Sequence, residues 1–122
     1  MCANRIYVQE AVYDAFLDKF TAKVKALKVG NGFDEGVVQG PLIEPAAVEK
    51  VQRHVDDAKA KGARVLAGGT KLHGQFFQPT VVADATADML CATEETFGPL
   101  APIFKFKHEN DAIAAANSTE FG

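Results

Sequence analysis

Tryptophan is absent from this 122-residue chain, cysteine occurs twice and histidine three times. Cys2 and Cys91 form neither a CxxC pair nor a dense set of bridges, which excludes a disulfide-stapled scaffold and makes a reducing, cytoplasmic setting the expectation. His54, His73 and His108 stand alone, with no second His or Cys at ligand spacing. No metal site is expected, and the three imidazoles read as solvated surface groups. Apolar runs never approach the ~18 residues of a spanning helix, and the opening residues lack the charged-then-apolar pattern of a secretory leader. An excess of positive charge is missing too. Thirteen Lys and Arg face sixteen Asp and Glu, a net charge of -3 with interspersed signs, so neither nucleic acid nor an anionic membrane is an expected partner.

What is present suits an ordinary globular protein: 48% apolar residues beside 24% charged ones. A domain of this size buries roughly two-thirds of its unfolded surface, enough for one core. The run Arg5 to Gln9 predicts a strand. Val12, Phe16, Leu17, Phe20, Val24 and Leu27 recur at helical spacing and predict a helix from Ala11 to Val29, its lysines crowding the C-terminal end where they complement the dipole. Gly30 to Gly40 reads as loop. Pro45 opens a second helix, with Val48, Val51, Val55 and Ala58 on one face and Glu49–Arg53 and Asp57–Lys61 as exposed i,i+4 pairs.

Further strands are predicted at Ala63 to Ala67 (read as buried), at Phe76 to Ala83 (with Pro79 pushing it toward an edge or a bulge) and at Ala101 to Lys107. A short helix follows at Asp111 to Asn117. The sum is an α/β protein of three layers with a partly parallel sheet. No repeat, low-complexity tract or linker divides residues 1–122, so they read as one domain or part of one.

Few motifs carry chemistry. Gly30-Asn31-Gly32-Phe33-Asp34-Glu35-Gly36 follows a helix rather than a strand, and its glycine spacing is wrong for a dinucleotide fingerprint; it reads as a connector. Cys91 reads as a small buried side chain. Glu94-Glu95-Thr96-Phe97-Gly98-Pro99 sets two carboxylates and a ring before a Gly-Pro turn. A carboxylate accepts both hydroxyls of a ribose diol, and a ring two residues on can wall a flat heteroaromatic. On residue chemistry alone the run stays open between that role and surface glutamates beside a core phenylalanine.

Several runs, in order, resemble the catalytic domain of the aldehyde dehydrogenase superfamily. They are Cys2-Ala3-Asn4-Arg5, Gly40-Pro41-Leu42-Ile43, Ala60-Lys61-Gly62-Ala63 leading to Gly68-Gly69, Phe77-Gln78-Pro79-Thr80-Val81, and Glu94 to Pro99. The Cys-Ala-Asn-Arg opening and the Gly-Phe-Asp-Glu-Gly loop are most similar to the succinate-semialdehyde dehydrogenase branch.

The resemblance implies a truncated three-layer αβα catalytic domain and NAD- or NADP-dependent oxidation of a small aldehyde, succinate semialdehyde for choice. In the family a cysteine thiolate attacks the aldehyde, hydride leaves for the nicotinamide, and water hydrolyses the thioester. It also implies that Glu95 holds the nicotinamide ribose and that Phe97 packs beside it. The reactive cysteine of that family stands five positions before the arginine matched by Arg5, which places it ahead of Met1, with Cys2 as the second cysteine of a Cys-x-Cys pair. A register shift of two would instead make Cys2 the nucleophile. In some relatives the paired cysteines form a disulfide switch, for which Cys2 would be one half.

The dinucleotide-binding half, the general-base glutamate and the oxyanion-hole amide have no match here, so no catalytic residue is assigned and the chain alone is expected to be an inactive fragment. Its last residues, Asn117 to Gly122, carry no terminating structure and read as a cut end. A truncated sheet exposes edges, so self-association is expected, and a non-catalytic binding or assembly module is the alternative function.

Overall fold

The computed structural model describes residues 3–120. A four-stranded sheet lies at its centre, in the order β1 (Ile6–Gln9), β6 (Leu100–Phe106), β5 (Thr80–Ala83), β4 (Arg64–Ala67). β1 and β5 run parallel to β6 on either side of it, and β4 closes the sheet antiparallel to β5. Parallel pairing puts the starts of β1 and β6 at one end of the sheet, with Ile6 opposite Ile103. That is how residues 4 and 96 become neighbours.

Strand alternation sorts the core into two layers. On one face Val81, Ala83 and Ile103 pack with Val8 and with Tyr13 and Leu17 of helix α1 (Tyr13–Lys25). On the other, Val82, Leu100 and Phe104 pack with Val48, Val51, Val55 and Ala58 of α2 (Pro45–Ala60). β4 obeys the rule only up to a register shift between Val65 and Ala67, after which its side chains change face. The three-layer arrangement expected from the element order is therefore what forms.

Two expectations need correction, and one element is new. The first helix stops at Lys25 rather than Val29. Ala26 and Leu27 close a turn onto Lys23 and Val24, and Lys28–Val29 leaves as β2 to pair with β3 (Val37–Gln39) inside what reads as loop. β-branched Val29, Val37 and Val38 favour that pairing. Its start is also tighter, because Glu10–Val12 forms a 3-10 turn.

Secondly, the strand expected from Phe76 begins at Thr80 and is central. The edge beside it is β4, read as buried but buried only at Ala67, and the irregularity lies in the β4–β5 ladder between Val65 and Ala67. Pro79 sits just before the ladder, so its missing N–H costs no sheet hydrogen bond. Thirdly, a four-residue helix, α3 (Leu90–Thr93), is too short to show periodicity. It is capped from a distance by Asp57, whose carboxylate accepts the Leu90 N–H at 2.7 Å. The last helix, α4 (Glu109–Ala116), falls close to its expected place, with a capping box between His108 and Asp111.

Candidate functional site

The link from α3 to β6 carries the Glu94–Pro99 run, and three elements converge on it. Asn4, just ahead of β1, donates from Nδ2 to the Glu94 carbonyl (3.1 Å) and accepts the Thr96 N–H on Oδ1 (3.0 Å). From α2, His54 places Nδ1 3.0 Å from the Thr96 hydroxyl and Nε2 3.2 Å from Oε2 of Glu94. Arg53 reaches the same Oε2 at 2.9 Å. At the far end, Gly98 lies so close to Val51 that a Cβ there would collide with Cγ2 of that side chain.

His54 is 0% exposed, which overturns its reading as a surface group. It lies on the apolar face of α2, three residues after Val51 and four before Ala58, a spacing legible in the sequence. Burial holds its imidazole below the ordinary pKa, against the opposing pull of Glu94, so the ring is neutral. A carboxylate only accepts; Nε2 therefore carries the hydrogen and Nδ1 accepts from the Thr96 hydroxyl, an assignment made from the partners. Glu94 is held low in turn, first by the hydrogen bond from His54 and then by Arg53. The expected Glu49–Arg53 pair gives way to Arg53–Glu94, whereas Asp57–Lys61 forms at 2.8 Å.

The two glutamates thus differ. Glu94 is consumed by the scaffold, while Glu95 is half-exposed and its side chain makes no hydrogen bond or ion pair among the described residues. It lines a cleft of about 330 Å³ together with Asn4, Arg5, Tyr7 and Thr93. Phe97 is 72% exposed and sits at φ +48°, a left-handed backbone that non-glycine residues seldom adopt. Within the described residues the ring belongs to neither apolar core. An acceptor-only carboxylate and an uncovered ring, two residues apart, suit a sugar diol bearing a flat base.

Arg5 is spoken for. Its guanidinium donates to the Ala115 and Ala116 carbonyls (2.9 and 3.0 Å), the Tyr7 hydroxyl and Thr119, tying β1 to the C-terminal end of α4. Cys91 is fully buried, and burial pushes its thiol up to about 11, which leaves it inert as a nucleophile. Cys2, with both the switch and the nucleophile readings, lies outside the described residues. Among the described residues no group of three or more His, Cys, Asp or Glu is placed to hold a metal, and no helix is long and apolar enough to cross a membrane.

A sequence model described as the aldehyde dehydrogenase family matches residues 1–122. The chain belongs to the aldehyde dehydrogenase family. Over 122 residues it is 57% identical to a glutarate-semialdehyde dehydrogenase of Pseudomonas putida strain KT2440, covering all of this chain and 25% of that protein. Over 125 residues it is 55% identical to an NADP(+) succinate-semialdehyde dehydrogenase of Escherichia coli K12, covering all of this chain and 26% of that one. The crystal structure of an aldehyde dehydrogenase from Brucella melitensis biovar abortus 2308 superposes with a TM-score of 0.97 at 58% identity, over 99% of this chain and 25% of that chain. The chain spans about a quarter of the length of these relatives. Its α/β fold is that of part of the family's catalytic domain, as the ordered motifs imply.

Proposed function

We propose that residues 1–122 form part of one catalytic domain in an NAD- or NADP-dependent aldehyde dehydrogenase, and that their share of the work is to orient the dinucleotide. The single observation that carries this is the division of labour at the corner: Glu94 is locked to His54 and Arg53 while Glu95, among the described residues, stays unpaired beside the exposed Phe97. Glu95 accepts the hydroxyls of the nicotinamide ribose, and Phe97 covers the flank of the ring system. When bound, the dinucleotide supplies the hydride acceptor. The corner's contribution is placement, since a misplacement of about 1 Å at a reacting centre can cost ~100-fold in rate.

The oxidation itself proceeds through a cysteine thioester, with the sulfur supplied ahead of the described residues. The substrate is a short aldehyde with an anionic far end, succinate semialdehyde in first place. Support for this comes from relatives named for succinate and glutarate semialdehydes, both of which carry a carboxylate opposite the aldehyde. Arg5 does not take that carboxylate, being committed to α4.

The test is made in the full-length enzyme carrying this segment. Glu95→Gln keeps the shape and loses the charge-assisted hydrogen bond, and should weaken NAD(P)H binding about tenfold. Phe97→Ala should weaken it in the same direction. Unchanged dinucleotide affinity and kcat in both variants would sink the reading. Succinate and glutarate semialdehydes should outcompete an uncharged aldehyde of equal length, and equal kcat/KM for all three would refute the substrate class. The 122-residue chain by itself should produce no rise in NAD(P)H absorbance with any of them.

A further inference from the structure

Four hydrogen bonds bracket Glu95 without touching it. Asn4 holds the backbone on either side, through the Glu94 carbonyl and the Thr96 N–H. His54 holds the side chains on either side, through Oε2 of Glu94 and the Thr96 hydroxyl. We infer that His54 is the positioning residue of this corner: by gripping Glu94 and Thr96 at once, it fixes the direction in which Glu95 presents its carboxylate to the dinucleotide ribose. The inference rests on the cofactor-holding role of Glu95 set out above.

The geometry gives the reason. Glu94 has extended backbone (φ −112°, ψ 144°), and in extended chain successive side chains point to opposite sides. Glu94 and Thr96 are both held to α2 through His54, while the residue between them lines the cleft beside Asn4, Arg5 and Tyr7. The left-handed Phe97 then ends the alternation, and Gly98 closes onto Val51, one helical turn before His54. A single face of α2 thereby holds both ends of a five-residue corner.

Simple space-filling would not call for an imidazole here. Between Val51 and Val55 an aliphatic side chain would fill the volume without desolvating two ring nitrogens, and a buried polar ring is tolerated only when both are paired. The partners it takes are the two neighbours of Glu95 in sequence, forty and forty-two positions away from the histidine.

The experiment is a double-mutant cycle in the full-length enzyme, read as the dissociation constant for NAD(P)H by fluorescence titration alongside kcat and the unfolding midpoint. His54→Leu should weaken binding about tenfold in the native background and have no further effect in a Glu95→Gln background, because His54 acts only through Glu95. His54→Gln, which keeps one donor and one acceptor, should restore most of the affinity. Should His54→Leu fail to fold, Thr96→Val carries the same cycle, with an expected loss of about threefold.

A purely structural role would lower the unfolding midpoint and weaken binding equally in both backgrounds, and that result overturns the inference. So does unaltered binding in His54→Leu and Thr96→Val when Glu95→Gln alone weakens it, an outcome that leaves the cofactor reading standing. If Glu95→Gln itself changes nothing, the cofactor reading fails and the positioning role falls with it.

Discussion

Two phenylalanines stand out from glycine-containing turns of this chain. Phe33 is 100% exposed and Phe97 is 72% exposed. Their surroundings differ completely. The turn around Phe33 is held by its own neighbours, through an Asn31 side chain that accepts the Phe33 N–H (3.1 Å) and a Lys28 ammonium on the Glu35 carbonyl. The turn around Phe97 is held by residues from before β1 and from α2, about 40 and 90 positions away. Exposure of an aromatic ring therefore says little on its own. What separates the two turns is whether distant elements are committed to hold them.

The two turns should differ most at their glycines. Gly98→Ala forces a methyl into Val51, an overpacking that should cost about 1–3 kcal/mol in equilibrium urea unfolding. Gly32→Ala, with nothing within 4 Å of its new carbon, should stay within about 0.5 kcal/mol of the parent. Equal effects at the two sites would mean that the corner is no more firmly held than the connector.

The anchoring amides come next. Asn4→Ala strands a backbone carbonyl and a backbone N–H and should cost about 1–2 kcal/mol by the same measurement, against roughly 0.5 kcal/mol for Asn31→Ala in its exposed turn.

Acidification distinguishes the regions as well. His54 is faced by Glu94, Arg53 and Lys50, and burial keeps its folded pKa below the unfolded value of about 6.5. The unfolded chain thus takes up a proton first as pH falls. The stability contributed by the neutral ring is complete above about pH 6.5 and erodes as pH drops through the lowered folded value. Glu94, also held low, adds a second erosion starting near pH 4.3, about its unfolded value. Urea midpoints taken from pH 8 down to about pH 2.5 should show both, and in His54→Gln the upper one should vanish. The smallest effect expected is that of Phe33→Ala, which should leave dinucleotide affinity unchanged while Phe97→Ala lowers it.

Legibility in the sequence followed the range of the physics. α2 was readable because its apolar residues recur at helical spacing, and β6 because it is a short apolar run bearing Ile103, Phe104 and Phe106; both signals are local. β2 and β3 were not, because a two-residue strand next to a three-residue one has no period to detect and exists only through pairing. The environment of Glu95 and Phe97 was half-readable: the ordered motifs pointed to them, but nothing local separates Glu94 from Glu95. His54 was misread although its register was available. A histidine between valines at i−3 and i+1 lies on the buried face, and only its polarity argued otherwise.

The order of residues alone carried the family resemblance and the amphipathic faces, since these depend on spacing along the chain. Which glutamate is locked and which is left open was decided only by the tertiary fold. Parallel pairing of β1 with β6 carries Asn4 to Thr96, and packing of α2 on the sheet carries His54 to Glu94. A carboxylate's fate is set by the donors that reach it through space, and those donors come from elements remote in sequence.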